Sequence, residues 1–269
     1  MNRIDSKFRV LRASCQKGFI AYIGAGDPNL KATAALAREF ERVGVDVLEL
    51  GVPFSDPLAD GVVNQLAAER GLRSGTTLHK VLKMVGALRR GGCKVPIVFY
   101  VYYNVVHHYG LKKFVHDAVA AGVDGVLALD LPPEEAGAYE AAMKSRGLHP
   151  IYLVAPTTPS ARIGKIARHA SGFIYYVSRE GVTGMQKKLA PAATKHVAII
   201  RRHSKLPVAI GFGISNPAQA RAAARAADAV VVGSAIVNQI AKHGTDRQLA
   251  ARMGRFVGAM VRAVKKEGR

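Results

Sequence analysis

Residues 45–65 read VDVLELGVPFSDPLADGVVNQ, an apolar strand-like run followed by a Gly- and Pro-rich excursion, with a carboxylate on either side, Glu49 and Asp60. In VDVLEL, Val45, Val47 and Glu49 alternate with Asp46, Leu48 and Leu50, so a strand here points Glu49 the same way as two valines. Burial on an apolar face disfavours the charged form and raises a carboxyl pKa, which lets a glutamic acid exchange a proton near neutral pH. Asp60 follows Pro53, Ser55, Asp56 and Pro57 in a loop that proline stiffens and that Gly51 and Gly61 let bend, so it is expected to be more solvated and ionised. Two carboxylates in contrasting settings divide into distinct roles. A plainer reading pairs Glu49 with an arginine inside the fold and makes Asp60 a helix cap.

Working outward, the same strand-then-helix unit recurs. Upstream, GFIAYIGAGDPN is an apolar run stopped by Gly24, Gly26, Asp27 and Pro28. Ala32, Leu36, Phe40 and Val43 then fall at helical spacing, and Gly44 closes that helix. Downstream, strand-like runs stand at VPIVFYVYYN, VDGVLALDLPP, HPIYLVAPTT, SGFIYYVSREGVTG, LPVAIGFGISN and DAVVVGSAIV, each followed by helical periodicity. Pro133, Thr158-Pro159 and Asn216-Pro217 supply helix starts; Gly110 and Gly122 bracket one helix and Gly147 ends another. Near-continuously apolar strands alternating with helices argue for a parallel sheet covered by helices. Eight such units predict an α/β fold, a closed (β/α)₈ TIM barrel with an extra N-terminal helix, as one domain over 1–269. No GxGxxG follows the first strand, which argues against dinucleotide binding.

With 269 residues, 49% of them hydrophobic, the chain can bury a large core. It has no low-complexity linker, no apolar run long enough to span a bilayer and, in MNRIDSKFRVLRASCQKG, no signal-peptide pattern, so a cytoplasmic location is expected. Cys15 and Cys93 lack metal or disulfide spacing; Ile4, Phe8, Leu11 and Cys15 share one helical stripe, so Cys15 reads as a buried small hydrophobe. Nine scattered histidines, among them the adjacent His107 and His108, chelate poorly, so no metal is expected. The net charge of +20 raises nucleic acid as a partner. The cations are spread along helices without interleaved aromatics or a nucleic-acid motif, so that partner is not expected, and the charge reads as solubility or steering of an anionic substrate.

In a parallel barrel, chemistry sits where strands end and βα loops begin. The first strand ends in GAGDPN, the second at Glu49 and the Asp60 loop, the third at Tyr102, Tyr103 and Asn104, the fourth at Asp130-Leu131-Pro132, and the sixth in SREGVTG. After the seventh and eighth, Gly213 and Gly233-Ser234 free backbone N–H groups to approach a ligand ahead of helix N-termini, and Ser234 adds a hydroxyl; that combination predicts a phosphate cradle. The alternative is that these glycines only make turns. No lysine lies suitably in a strand for imine chemistry.

LELGVPFSDPLADG, DLPPEE, APTTP, YYVSREGVTG, GFGIS and VVVGSAIV together make the chain resemble the tryptophan synthase α-subunit family from MNRIDSKF to the last strand. The resemblance implies retro-aldol cleavage of indole-3-glycerol phosphate to indole and glyceraldehyde 3-phosphate. Glu49 would move protons between the glycerol hydroxyl and indole C3, and Asp60 would bond the indole N–H. It assigns Gly184, Gly213, Gly233 and Ser234 to the phosphate and Tyr175 and Phe212 to the pocket wall. Thr183 falls in a loop, from about Arg179 to Ala190, similar to the family's lid. It further implies no cofactor in this chain and a β-subunit partner, in an α2β2 heterotetramer, that carries pyridoxal phosphate and receives indole. Pro53, Asp56, Asn104 and Pro132 match the face that meets it. Gly24, Val62, Asn64, Tyr100 and Glu180 depart from the commonest pattern, and Tyr100 is expected to tighten the indole pocket. Two rival readings keep the barrel: a stand-alone lyase, and a non-catalytic barrel that regulates its partner.

Overall fold

The computed structural model describes residues 1–177, 186–211 and 213–268. The chain opens with α1 (Arg3–Ala13), capped by Asn2, whose Oδ1 accepts the Ile4 N–H. Strand β1 (Gly18–Gly24), α2 (Leu30–Arg42), β2 (Val47–Gly51), α3 (Val62–Arg73), α4 (Leu78–Arg90) and β3 (Ile97–Val101) follow. Next come α5 (Tyr103–Tyr109), α6 (Leu111–Ala121), β4 (Gly125–Ala128), α7 (Gly137–Ser145), β5 (His149–Val154), α8 (Ser160–His169) and β6 (Ile174–Val177). The last part holds α9 (Gln186–His203), β7 (Val208–Gly211), α10 (Pro217–Ala224), β8 (Ala229–Val232), α11 (Ser234–His243) and α12 (Leu249–Lys265). The eight strands pair in chain order, all parallel, and β8 returns to β1, closing the predicted barrel.

Strand alternation sorts the core into two shells. Phe19, Ala21, Leu48, Leu50, Ile97 and Phe99 face outward and pack with the apolar stripes of the helices. Ile20, Val47, Val98, Leu127, Ala209 and Val231 fill the barrel interior, where Ile4, Phe8 and Leu11 of α1 join them. The N-terminal helix is therefore a plug for the foot of the barrel. Asn2 fixes it there, its Nδ2 donating to the carbonyls of Asp124 and Gly147.

The foot is tied by a repeated device. Asp46, Asp124 and Asp228 each stand immediately before an even-numbered strand. Each carboxylate accepts a backbone N–H from the preceding strand, that of Phe19, Ile97 or Val208, at 2.8, 2.8 and 2.9 Å. Each aspartate's own N–H returns a bond to the carbonyl of that same residue. Backbone groups that the ladder leaves open at the strand starts are satisfied this way.

Four sequence expectations change. Strand β2 begins at Val47, so Val45 packs in the outer shell and Val47 alone shares the inner face with Glu49. Cys15 is exposed: α1 ends at Ala13, and Cys15 takes φ of +52°, which carries it off the helical stripe. The helix expected from Pro133 starts only at Gly137, because Glu135 and Ala136 donate back to Pro132 and Pro133 as turns. The Thr158-Pro159 start is displaced by one residue, Pro159 preceding α8 as its cap, whereas Asn216-Pro217 opens α10 as expected.

Candidate active site

The inner face of the barrel becomes polar in its upper layer. Tyr22 of β1 stands opposite Glu49 of β2, two residues above the Ile20 and Val47 pair. Tyr100 reaches the same level from β3 and Tyr175 from β6. These four side chains, Asp60 and the strand-end glycines line a cavity of about 820 Å³ at the C-terminal mouth of the barrel. The tyrosines fit because their strand neighbours lack side chains. A Cβ on Gly51 would clash with the Tyr22 hydroxyl, and one on Gly211 would lie 2.7 Å from that of Tyr175.

Glu49 is 1% exposed, and its Oε1 has no hydrogen-bond partner among the described residues. Burial first, and the nearby Asp60 charge second, push its pKa up to about 8. The carboxyl is thus neutral at pH 7, and Glu49 is part of the cavity wall. Among the described residues no arginine pairs with it, so nothing there supports the ion-pair reading of this residue.

Asp60 lies in the segment between β2 and α3. It is half-buried rather than left to solvent. Its Oδ1 accepts the Tyr100 hydroxyl at 2.6 Å and its Oδ2 the Tyr102 hydroxyl at 3.0 Å. Asn64 Nδ2 adds a longer contact to Oδ1 at 3.3 Å. The Tyr102 oxygen also accepts the Ala59 N–H at 2.9 Å, and its ring stacks on Phe54, centroids 5.2 Å apart. Desolvation, then the Asp60 charge, holds the Tyr102 hydroxyl above the usual phenol range, so it remains a donor. Asp60 accepts no backbone N–H of the following helix, so it is not that helix's cap; α3 has no side-chain cap.

Gly213, Gly233 and Ser234 line the same cavity. The two helices beyond them differ. In α10 the Asn216 side chain already accepts the Gln219 N–H and Pro217 occupies the first turn. Helix α11 begins at Ser234 directly after Gly233 with no side-chain cap, so its first N–H groups open at the cavity edge. Of the predicted partner-face residues, Asp56, Asn104 and Pro132 are exposed, whereas Pro53 is buried against Gly71. Thr183, Gly184 and Phe212 lie outside the described residues, as do Arg179 and Glu180.

Reasoning from the sequence put Tyr102 at the chemistry-bearing end of the third strand without giving it a partner, and did not assign Tyr22 to the site. The alternation Ile20–Tyr22 in β1 was the available signal for Tyr22; the bond from Tyr102 to Asp60 spans 42 residues and had none. Among the described residues no group of His, Cys, Asp or Glu side chains could hold a metal ion, and no helix is long and apolar enough to cross a membrane.

A family model for the tryptophan synthase alpha chain matches residues 8–265. The chain belongs to the tryptophan synthase alpha chain family. It is 51% identical to the tryptophan synthase alpha chain of Opitutus terrae, over 99% of this chain and all of that one. It is 48% identical to that of Geotalea uraniireducens over the whole of both. The crystal structure of tryptophan synthase subunit alpha from Legionella pneumophila superposes with a TM-score of 0.91 at 37% identity, covering 99% of each chain. A chain of Mycobacterium tuberculosis tryptophan synthase in its aminoacrylate-bound form gives 0.87 at 31% identity, over 98% of this chain and all of that one. As a tryptophan synthase alpha chain family member the protein is a lyase of tryptophan biosynthesis that cleaves indole-3-glycerol phosphate. The regulatory-barrel and stand-alone readings are not favoured by these similarities.

Proposed function

We propose that Glu49 and Asp60 divide the work of this cleavage between them. Glu49, protonated at neutral pH, donates its proton to indole C3. The ring then carries positive charge shared with its nitrogen, and Asp60, accepting the indole N–H, stabilises that charge. The bond from C3 to the glycerol carbon breaks as the hydroxyl on that carbon loses its proton to Glu49. Its electrons return to the ring, leaving indole and the aldehyde of glyceraldehyde 3-phosphate. Glu49 ends with the proton it began with, and no cofactor of this chain is required.

The observation that carries this reading is a buried carboxyl, one oxygen unpartnered among the described residues, in the wall of a cavity that a hydroxyl-fixed carboxylate also lines. On the same reading Gly213, Gly233 and Ser234, with Gly184, hold the phosphate, and the open N-terminus of α11 supplies its positive end. Tyr175 and Phe212 wall the indole, and Thr183 closes over it with the loop that follows β6. A β subunit carrying pyridoxal phosphate docks over the barrel mouth in an α2β2 heterotetramer, near Asp56, Asn104 and Pro132, with Pro53 shaping the loop from beneath. Indole, small and apolar, then passes to it without leaving, and the assembly works in the cytoplasm.

The test is indole release from indole-3-glycerol phosphate by the purified chain and by Glu49→Gln, each with and without a cognate β subunit. Release should rise with β and collapse in Glu49→Gln while ligand affinity survives. Activity of the variant within about tenfold of wild type would assign the proton transfer to another group.

A further inference from the structure

Asp60 has to meet the indole N–H from a segment without regular secondary structure, most of whose residues from Ser55 to Ala59 are exposed. A carboxylate on such a loop is free to swing into solvent unless something in the rigid part of the fold holds it. Two hydroxyls reach it, and they are not equivalent. Tyr102 lies beyond the end of β3, and its oxygen is shared between the Asp60 carboxylate and the Ala59 N–H, so it tethers the loop as a whole. Tyr100 lies within β3, flanked by β2 and β4, and its hydroxyl makes one short bond, to Asp60 Oδ1. Its ring is held edge-on by Tyr22, with centroids 4.9 Å apart at 67°, so the hydroxyl has little freedom of its own. Tyr100, Asp60 and Glu49 all face the same cavity.

Resting on the reading that Asp60 accepts the indole N–H, we infer that Tyr100 is a positioning residue: its hydroxyl pins the Asp60 carboxylate inside the pocket before substrate arrives. A carboxylate offers about four lone-pair directions, so once Tyr100 and Asn64 on Oδ1 and Tyr102 on Oδ2 are served, Oδ2 keeps room for a further donor. Burial, followed by Tyr22 and the Asp60 charge, keeps the Tyr100 proton well above the phenol range, so the donor is not lost at any working pH. Asn64 Nδ2 approaches the same Oδ1 at 3.3 Å, so two side chains converge on one oxygen. Tyr100 thus does more than narrow the pocket; it sets where the negative charge stands.

Tyr100→Phe in the full chain removes the hydroxyl and keeps the ring against Tyr22. Two readouts are needed, turnover of indole-3-glycerol phosphate and the relative affinity for two unreactive ligands, indole-3-propanol phosphate and its benzofuran counterpart, in which oxygen replaces the N–H. The variant should lose about tenfold in kcat/KM, mostly in kcat, and its preference for the N–H ligand should shrink by a similar factor. Affinity for glycerol phosphate, which lacks the ring, should be unchanged. Tyr100→Leu, a second route to the same loss, should lose the N–H preference as well. A Tyr100→Phe variant that keeps kcat/KM and the N–H preference within about twofold would overturn the inference. Wild-type protein with no preference for N–H over ring oxygen would instead overturn the Asp60 assignment, and the role of Tyr100 with it.

Discussion

Glu49 gains its chemistry from its neighbours at some cost to the fold. In the unfolded chain it ionises at the ordinary value of 4.5, whereas folded it holds its proton to about 8. Between those values the folded state binds the extra proton, so stability falls as pH rises through that window and levels off above it. Glu49→Gln has no such dependence. Thermal unfolding of the pair should therefore nearly coincide near the lower end of the window, with the variant becoming the more stable as pH approaches about 8. A difference that stays flat across the range would mean that Glu49 ionises as an ordinary carboxyl. The burial that sets this behaviour was legible in the alternation of VDVLEL. The partners of Asp60 were not, because Tyr100 and Tyr102 come from 40 and 42 residues further along the chain.

Among the elements, strands were easier to read than helix starts. The strands are near-continuous apolar runs, most of their residues buried, which local sequence announces. A helix start depends on which N–H groups find partners, so Pro133 was misleading: the following residues close turns and α7 waits for Gly137. The aspartates before β2, β4 and β8 were visible but unread, since their role appears only when neighbouring strands are side by side. Asp124 carries the most weight. It accepts from Ile97, from Arg89 at 2.9 Å and from Arg3 at 2.9 Å, and the Arg89 side chain is only 11% exposed. Asp124→Ala would leave the buried Arg89 with backbone carbonyls as acceptors but without this carboxylate, and should cost about 3 kcal/mol in urea or thermal unfolding. A loss below about 1 kcal/mol would mean that the network behaves like surface ion pairs.

For the whole molecule, 39 basic residues against 19 acidic ones give the net charge of +20. Among the described residues several of the cations are held in ion pairs. Arg42 pairs with Glu39 on α2, Lys113 with Asp117 on α6, Arg162 on α8 with Glu134, and Arg221 and Arg225 at α10 with Glu267. A binding stripe for a nucleic-acid backbone would need unpaired cations concentrated on one face. Retention of duplex DNA should therefore be confined to low salt and vanish by about 150 mM, as measured by gel shift across a salt series. Binding that persists there would restore nucleic acid as a partner.

The sequence by itself determined the repeating strand and helix units, the buried glutamate beside a loop aspartate, and the glycines that open the mouth of the barrel, because each is a matter of local periodicity or turn chemistry. Tertiary structure decided the rest. Only closure of β1 on β8 brings Tyr22 to the level of Gly233, and only adjacency of β2 and β3 puts Tyr100 within 2.6 Å of Asp60. It also decided that α11 rather than α10 presents an open N-terminus, since Asn216 caps the latter. The physical reason is common to all three: a hydrogen bond or a raised pKa depends on what lies within a few ångströms, and in a barrel those neighbours come from different βα units.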